Sequence, residues 1–304
     1  MQITTKTLKD IKRFWFIYFM MIPAVAYFII FKYYPMGIQT VLAFKKYELL
    51  GGVAGSPWVG FDNFTYLFNK SDIPQVLWNT VWISMLRIVA GFFPPLLLAI
   101  FLFDLHNKRL RRVSQTILYI PHFFSWVIVY AIVFAVFSNE GMVNQFLGLL
   151  GIGQQNFLMS PDWFRSLLVG SAIWKEIGWG TIIYLAGMSM TDPSLYEAAK
   201  MDGAGPWTRI WHVTLPAIRP IIIFLFTLSL GGILYAGGEQ ILLFYNPATM
   251  KVGDVIDTWI YRQGLTQLQY SLGAAMSLFQ SLLGLILVIG ANTLSRKYSG
   301  IGIW

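Results

Sequence analysis

Four ionisable residues, Arg87, Lys175, Glu176 and Glu239, stand inside long apolar runs of the sequence. Charge in that setting is expensive and is usually turned toward a cavity, a partner group or a ligand path. Their types suit hydrogen bonding and ion pairing, with nothing that points to covalent chemistry. Cysteine is absent, so there is no thiolate ligand, disulfide or Cys nucleophile. His106, His122 and His212 are far apart and have no metal-ligand spacing. No Ser/His/Asp arrangement is evident, and no G-x-x-x-x-G-K-[ST] run is present to cradle a nucleotide. Lys175 and Glu176 are adjacent, so on a helix they point about 100° apart and need not pair with each other. The plainer expectation for each charge is structural pairing between helices. Glu239 is the stronger ligand candidate. It follows Gly237-Gly238, near Gly231-Gly232 and Tyr235, where glycines allow close approach of a backbone or a ligand. Tyr235, Glu239, Gln240 and Tyr245 place polar groups along one run. Trp174 and Trp179 add flat apolar faces, although aromatic residues in such runs more often serve packing.

The elements that position these groups follow from composition. The 304 residues are 56% hydrophobic and only 12% charged, about half the charge of a typical soluble domain. A spanning helix needs about 20 mostly apolar residues, and six stretches qualify: 14–31, 76–103, 117–137, 167–190, 218–244 and 274–294. Pro94-Pro95 is expected to kink the second, because proline has no N–H for the helix ladder. In the first, Ala24-Val25-Ala26 resembles a cleavage site, but the apolar run continues to Phe31, so a retained span is expected.

Six spans put both ends on one side of the membrane. That side carries Lys6, Lys9, Lys12, Arg13, Lys108, Arg109, Arg111, Arg112, Lys200, Arg209, Arg219, Arg296 and Lys297. The opposite side carries fewer, among them Lys45, Lys46, Lys70, Arg165, Lys251 and Arg262. The richer side is predicted cytoplasmic, with both termini there. The net charge of +8 is thereby a topology signal, and no nucleic-acid partner is needed to explain it. Residues 32–75, 138–163 and 245–271 are predicted external, the second with a short interfacial helix around 142–150.

One cytoplasmic connection stands out. Asp192 can cap a helix that begins at Pro193. Asp202-Gly203 supplies a turn, and Pro206 can start a second helix, with Leu215-Pro216 expected to end it. Trp207, Ile210 and Trp211 recur at helical spacing, and large aromatics in a short polar connection suggest burial against something. A surface hairpin and a docking knob both fit this pattern.

The run Glu197-Ala198-Ala199, then Asp202-Gly203-Ala204, Ile210, Leu215-Pro216 and Pro220 resembles, in order and spacing, the EAA motif of ABC importer permeases. Further likeness covers nearly the whole chain and is to carbohydrate permeases of the maltose-type class, in the oligosaccharide branch that includes alginate importers. It is carried by the runs Gly55 to Phe64, Tyr119 to Val127, Trp174 to Thr181, Phe244-Tyr245-Asn246-Pro247 and Ser295 to Gly300. The resemblance implies an all-α polytopic membrane protein with the type I importer (MetI-like) core of five helices plus an N-terminal helix. The corresponding division is 1–75 for the N-terminus, first span and external segment, 76–297 for the core with its coupling loop at 191–220, and 298–304 for a cytoplasmic tail. It implies a second homologous permease, two copies of a cytoplasmic ATPase that handles ATP and Mg, an extracytoplasmic solute-binding protein and an oligosaccharide substrate, in a bacterial cytoplasmic membrane. Coupling to the ATPase would fall on Glu197, Ala198, Ala199, Asp202, Gly203, Ala204, Ile210, Leu215 and Pro216. Substrate contact would be sought among Tyr235, Glu239, Gln240, Tyr245, Trp174, Lys175 and Glu176. A self-contained secondary transporter or channel, or a scaffold or sensor without transport, would explain the spans but not the loop.

Overall fold

A computed structural model describes residues 13–300 and residue 302. Lys6, Lys9 and Lys12 lie outside the described residues, as do positions 301, 303 and 304 of the tail. Among the described residues the secondary structure is helical, apart from two isolated bridges, Lys45 with Trp58 and Glu48 with Gly52. Among the described residues, five helices are long and apolar enough to cross a membrane. The 29-residue helix Pro161–Ser189 is long enough as well, but carries Arg165, Lys175 and Glu176.

The principal helices are α1 (Trp15–Ala43), α2 (Ile73–Phe103), α3 (Lys108–Tyr119), α4 (Trp126–Phe137), α5 (Pro161–Ser189), α6 (Pro193–Met201), α7 (Pro206–Gly231), α8 (Gly238–Phe244) and α9 (Tyr270–Ser299). A short helix at Met142–Leu149 falls where the interfacial one was expected. The chain divides into two compact units, residues 1–69 with 263–278, and residues 70–262 with 279–304, so that α9 is divided after Leu278.

In the first unit, Ala43, Ala274 and Ala275 form a small core with Phe44 and Phe64 packed on it. The Lys45 ammonium is buried and donates to the carbonyls of Val53 and Ala54, which closes the loop that follows α1. In the second unit, Leu96, Ala99, Tyr184, Met188 and Ile218 join α2, α5 and α7. Ile83, Val133, Leu168, Ile241 and Phe244 join α2, α4, α5 and α8. Helices α2 and α5 approach closely at Gly180, where a Cβ would stand 3.0 Å from the Pro95 ring.

The structure departs from the sequence reading at four places, and each has a local cause. The first helix does not stop at Phe31 but continues to Ala43. The predicted end of the second loop helix at Leu215-Pro216 is likewise absent, since α7 runs on from Pro206 to Gly231. Both continuations use the same device. A π turn at Ile29–Tyr33 precedes Pro35, and one at Ile210–Thr214 precedes Pro216. In each, the residue before the proline bonds five residues back, Tyr34 to the Ile29 carbonyl and Leu215 to the Ile210 carbonyl. The wider turn relieves the clash that a proline ring makes with the carbonyl four residues earlier.

The other two departures are breaks. The predicted span 117–137 is not one helix. It ends as α3 at Tyr119, passes through a 3-10 turn at Ile120–Phe123 and restarts as α4 with Ser125 at its cap. Pro121 and the extended Phe124 interrupt the ladder. The predicted span 218–244 breaks between Gly231 and Gly238. Gly237 has φ +85 there, a left-handed conformation that favours glycine. Helix α2, by contrast, continues through Pro94-Pro95.

Candidate functional site

The polar residues collect in two places, the connection α6–α7 and a cluster where the two broken helices meet α2 and α5. In the connection, the Asp192 carboxylate accepts from the Ser194 N–H at 2.9 Å, the cap expected from sequence. That bond holds the Asp192 carboxyl below its ordinary range. At the other end of α6, Gly203 has φ +76; its N–H bonds the Lys200 carbonyl at 3.0 Å, and the Ala204 N–H bonds the Ala199 carbonyl at 2.9 Å. This pair of bonds is a Schellman motif, in which the left-handed residue is normally glycine and the residues that exchange the outer bond also pack together. Gly203 and the small side chains of Ala199 and Ala204 are thus explained by one turn. Glu197, Ala198 and Asp202 are exposed around it.

The turn is fixed to the bundle from below. The Tyr196 hydroxyl donates to the Thr214 hydroxyl at 3.1 Å, and the Tyr196 ring lies 5.8 Å from that of Phe103. Thr214 is buried in the π turn, whose extra residue turns the preceding segment relative to the rest of α7. Trp207 and Trp211 remain 75% and 65% exposed. With the half-buried Ile210 and Leu215, they face the end of α2 across a groove of ≈ 800 Å³.

In the cluster, Lys175 donates to the His122 carbonyl at 2.7 Å, a carbonyl in the 3-10 turn between α3 and α4. It also pairs with Glu176 at 3.0 Å, so the adjacent charges do meet. The other Glu176 oxygen lies 2.7 Å from His122 Nδ1. The His122 ring stacks on Trp179 at 4.4 Å and 4°. Trp126 is flanked by two cations, Lys175 at 5.5 Å and Arg87 at 5.8 Å. Arg87 in turn donates to Gln240 Oε1. Gln240 is fully buried, and both its N–H bonds are spent on the Leu168 carbonyl and the Ser171 hydroxyl, each at 2.9 Å. A small cavity beside this network is lined by Arg87, Glu176 and Trp179.

The other candidates lie around this core. Glu239 and Tyr235 are exposed at the break between α7 and α8, and Trp174 is exposed on α5. Tyr245 sits at the C-terminal end of α8, where its hydroxyl accepts from Arg262 at 3.2 Å. Arg262 is held by Asp254 through bonds of 2.9 and 2.6 Å. The network therefore brings together Lys175, Glu176 and Gln240, and leaves Tyr235, Glu239, Tyr245 and Trp174 separate from it. Sequence reasoning missed His122 and the pairing of Arg87 with Gln240. In the sequence His122 stands within the run that carries the family resemblance, with no role attached to it.

Membrane helices broken beside buried polar groups recur in transport proteins. The chain belongs to the family of binding-protein-dependent transport system inner membrane components, whose family model matches residues 96–300. It is 43% identical over 295 residues to Protein LplB of Bacillus subtilis (strain 168), covering 97% of this chain and 92% of that protein. It is 41% identical to the polygalacturonan/rhamnogalacturonan transport system permease protein YteP of the same strain, covering 95% and 90%. Among solved structures it resembles a bacterial ABC transporter involved in the import of the acidic polysaccharide alginate, also solved with its alginate pentasaccharide-bound periplasmic protein. That match has a TM-score of 0.89 and 40% identity, and covers 97% of this chain and 99% of the other. The fold is accordingly that of an ABC importer permease, and the readings as secondary transporter, channel or sensor are set aside.

Proposed function

We propose that this chain forms one half of the membrane pathway of an oligosaccharide importer, and that α7 carries the ATPase's movement to the pathway. The observation that carries this reading is the continuity of α7. It begins in the cytoplasmic connection at Pro206 and ends at Gly231, beside the broken turn. Its 26 residues span about 39 Å at 1.5 Å per residue. A displacement of the connection would move the turn at 232–237 without an intervening hinge.

In this reading a second, homologous permease completes the pathway, and two copies of a cytoplasmic ATPase bind and hydrolyse ATP with Mg. An extracytoplasmic binding protein delivers the sugar. Both termini face the cytoplasm. Glu197, Ala198, Ala199, Asp202, Gly203 and Ala204 form the knob that the ATPase grips, and Ile210, Leu215 and Pro216 transmit its motion into α7. Glu239 and Tyr235, exposed at the break, face the pathway, because an ionisable group in a span is not turned to lipid. Trp174, and Trp179 beside Glu176, offer flat faces next to hydrogen-bond acceptors, the combination that sugars need. Lys175 and Gln240 hold the broken helices in place, and Tyr245 belongs to the outer end of the path. The family resemblance and the carbohydrate names of the relatives support an oligosaccharide as the cargo.

The test is to purify the chain with candidate partners and measure ATP hydrolysis with binding protein loaded from a panel of neutral and acidic oligosaccharides. Co-purification of an ATPase and stimulation by a loaded sugar are expected. Stimulation by non-carbohydrate solutes alone would overturn the assignment of cargo.

A further inference from the structure

Helix α3 carries a face that the transport mechanism does not use. Asn107 fixes its start, its side-chain oxygen accepting from the Arg109 and Leu110 N–H groups at 3.0 and 3.1 Å. Four cations, Lys108, Arg109, Arg111 and Arg112, then fall in its first five positions, at the positive end of the helix dipole. Among the described residues, no carboxylate lies within ion-pair distance of any of them. At 100° per residue, Lys108, Arg109 and Arg112 share one sector, and Leu110, Val113 and Ile117 share the next. Both sectors face outward: the three cations are exposed, and so are the three apolar side chains. The opposite side rests on α5, so closely that a Cβ on Gly178 would collide with the Leu118 carbonyl.

We propose that the first turns of α3, at the end of the broken span that follows α2, bind anionic phospholipid headgroups. Leu110, Val113 and Ile117 enter the acyl layer, and Lys108, Arg109 and Arg112 reach the phosphates. Two features select lipid over an acidic protein surface. A basic sector beside an apolar sector is satisfied at once by the boundary between headgroups and chains. The helix also follows directly on the span α2, at the end of the bundle where Asp104 to Asn107 border the groove holding Trp207 and Trp211. Juxtamembrane cations at that boundary favour anionic lipid over zwitterionic lipid.

The assembled transporter is reconstituted in nanodiscs of phosphatidylcholine alone or with phosphatidylglycerol, and retained phosphatidylglycerol is counted by native mass spectrometry. The wild-type complex should retain it. Neutralising Lys108, Arg109 and Arg112 to Gln should lower retention by about fivefold per cation, and Arg109→Lys with Arg112→Lys should restore it. Leu110→Gln with Ile117→Gln keeps every charge and should also lower retention, which a purely electrostatic protein contact would not do. Equal retention by the neutralised variant and the wild type would overturn the proposal. Loss of the ATPase subunit from the neutralised variant would also overturn it, by showing that the face belongs to a protein partner.

Discussion

A Cβ on Gly237 would stand 2.6 Å from Cζ of Arg87. The left-handed turn that breaks the fifth span therefore lies directly on a guanidinium from α2, which also bonds Gln240 three residues beyond the turn. The other break is held in the same neighbourhood, where Lys175 caps the carbonyl of His122. Both interrupted helices are thus tied to charges on the unbroken pair α2 and α5, which supply bonds that the missing helical turns do not.

Gly237→Ala should impair the assembly for two separable reasons. The left-handed conformation costs an L-residue about 1–2 kcal/mol, and the new methyl displaces Arg87. In thermal unfolding of the purified complex, adding Arg87→Ala should recover part of the loss but leave the backbone strain. Full recovery would show that only the collision mattered.

At Gly203 the expectation differs, because a Cβ there meets nothing within 4 Å. Only the φ of +76 constrains the position. Substrate-stimulated ATP hydrolysis should therefore rank Gly, then Asn, then Ala, then Val, since Asn tolerates the left-handed region and a β-branched residue does not. Insertion into the membrane should be unchanged throughout. A Val variant with normal coupling would remove the turn from the mechanism.

Lys175→Met leaves the partly buried His122 carbonyl without its donor, which costs at most about 1–3 kcal/mol. The lost pairing with Glu176 should matter less, because that carboxylate is 40% exposed and solvent screens it. Combining Lys175→Met with Glu176→Gln should consequently recover little of the melting temperature. Large recovery would show that the ion pair with Glu176 stabilises the bundle more than the bond to His122 does.

Pro216→Ala restores a backbone donor and removes the ring that the π turn accommodates. If the turn then closes to α, the segment before it rotates by about 100°, carrying Trp207 and Trp211 with it. A cysteine placed at Trp207, in a chain with no other cysteine, should change its cross-linking to the ATPase, and coupling should fall. An unchanged cross-link would mean that the π turn persists without its proline.

Glu239→Gln should reduce uptake at limiting sugar while leaving assembly intact, as expected of an exposed acceptor in the path. Unchanged uptake would place the carboxylate outside it.

The membrane class, the approximate placing of the apolar stretches and the cap and turn residues of α6 are legible in the order of residues alone. Those properties depend on local composition: a run of apolar residues must leave water, and Asp192, Pro193 and Gly203 each act on neighbours a few positions away. Where the spans break, and where helices continue through proline, depends on packing between distant segments. Pro35 and Pro216 would end helices on local grounds, yet each continues because a π turn shifts the bonding register before it. The apolar run 117–137 reads as one span, yet it divides at Pro121 because Lys175, more than fifty positions away, satisfies the freed His122 carbonyl at 2.7 Å. Arg87 and Gln240 meet across 153 positions of sequence. No pattern of spacing reveals such a pair, because the cost of burying each polar group is offset by a partner that only the packed bundle brings within reach.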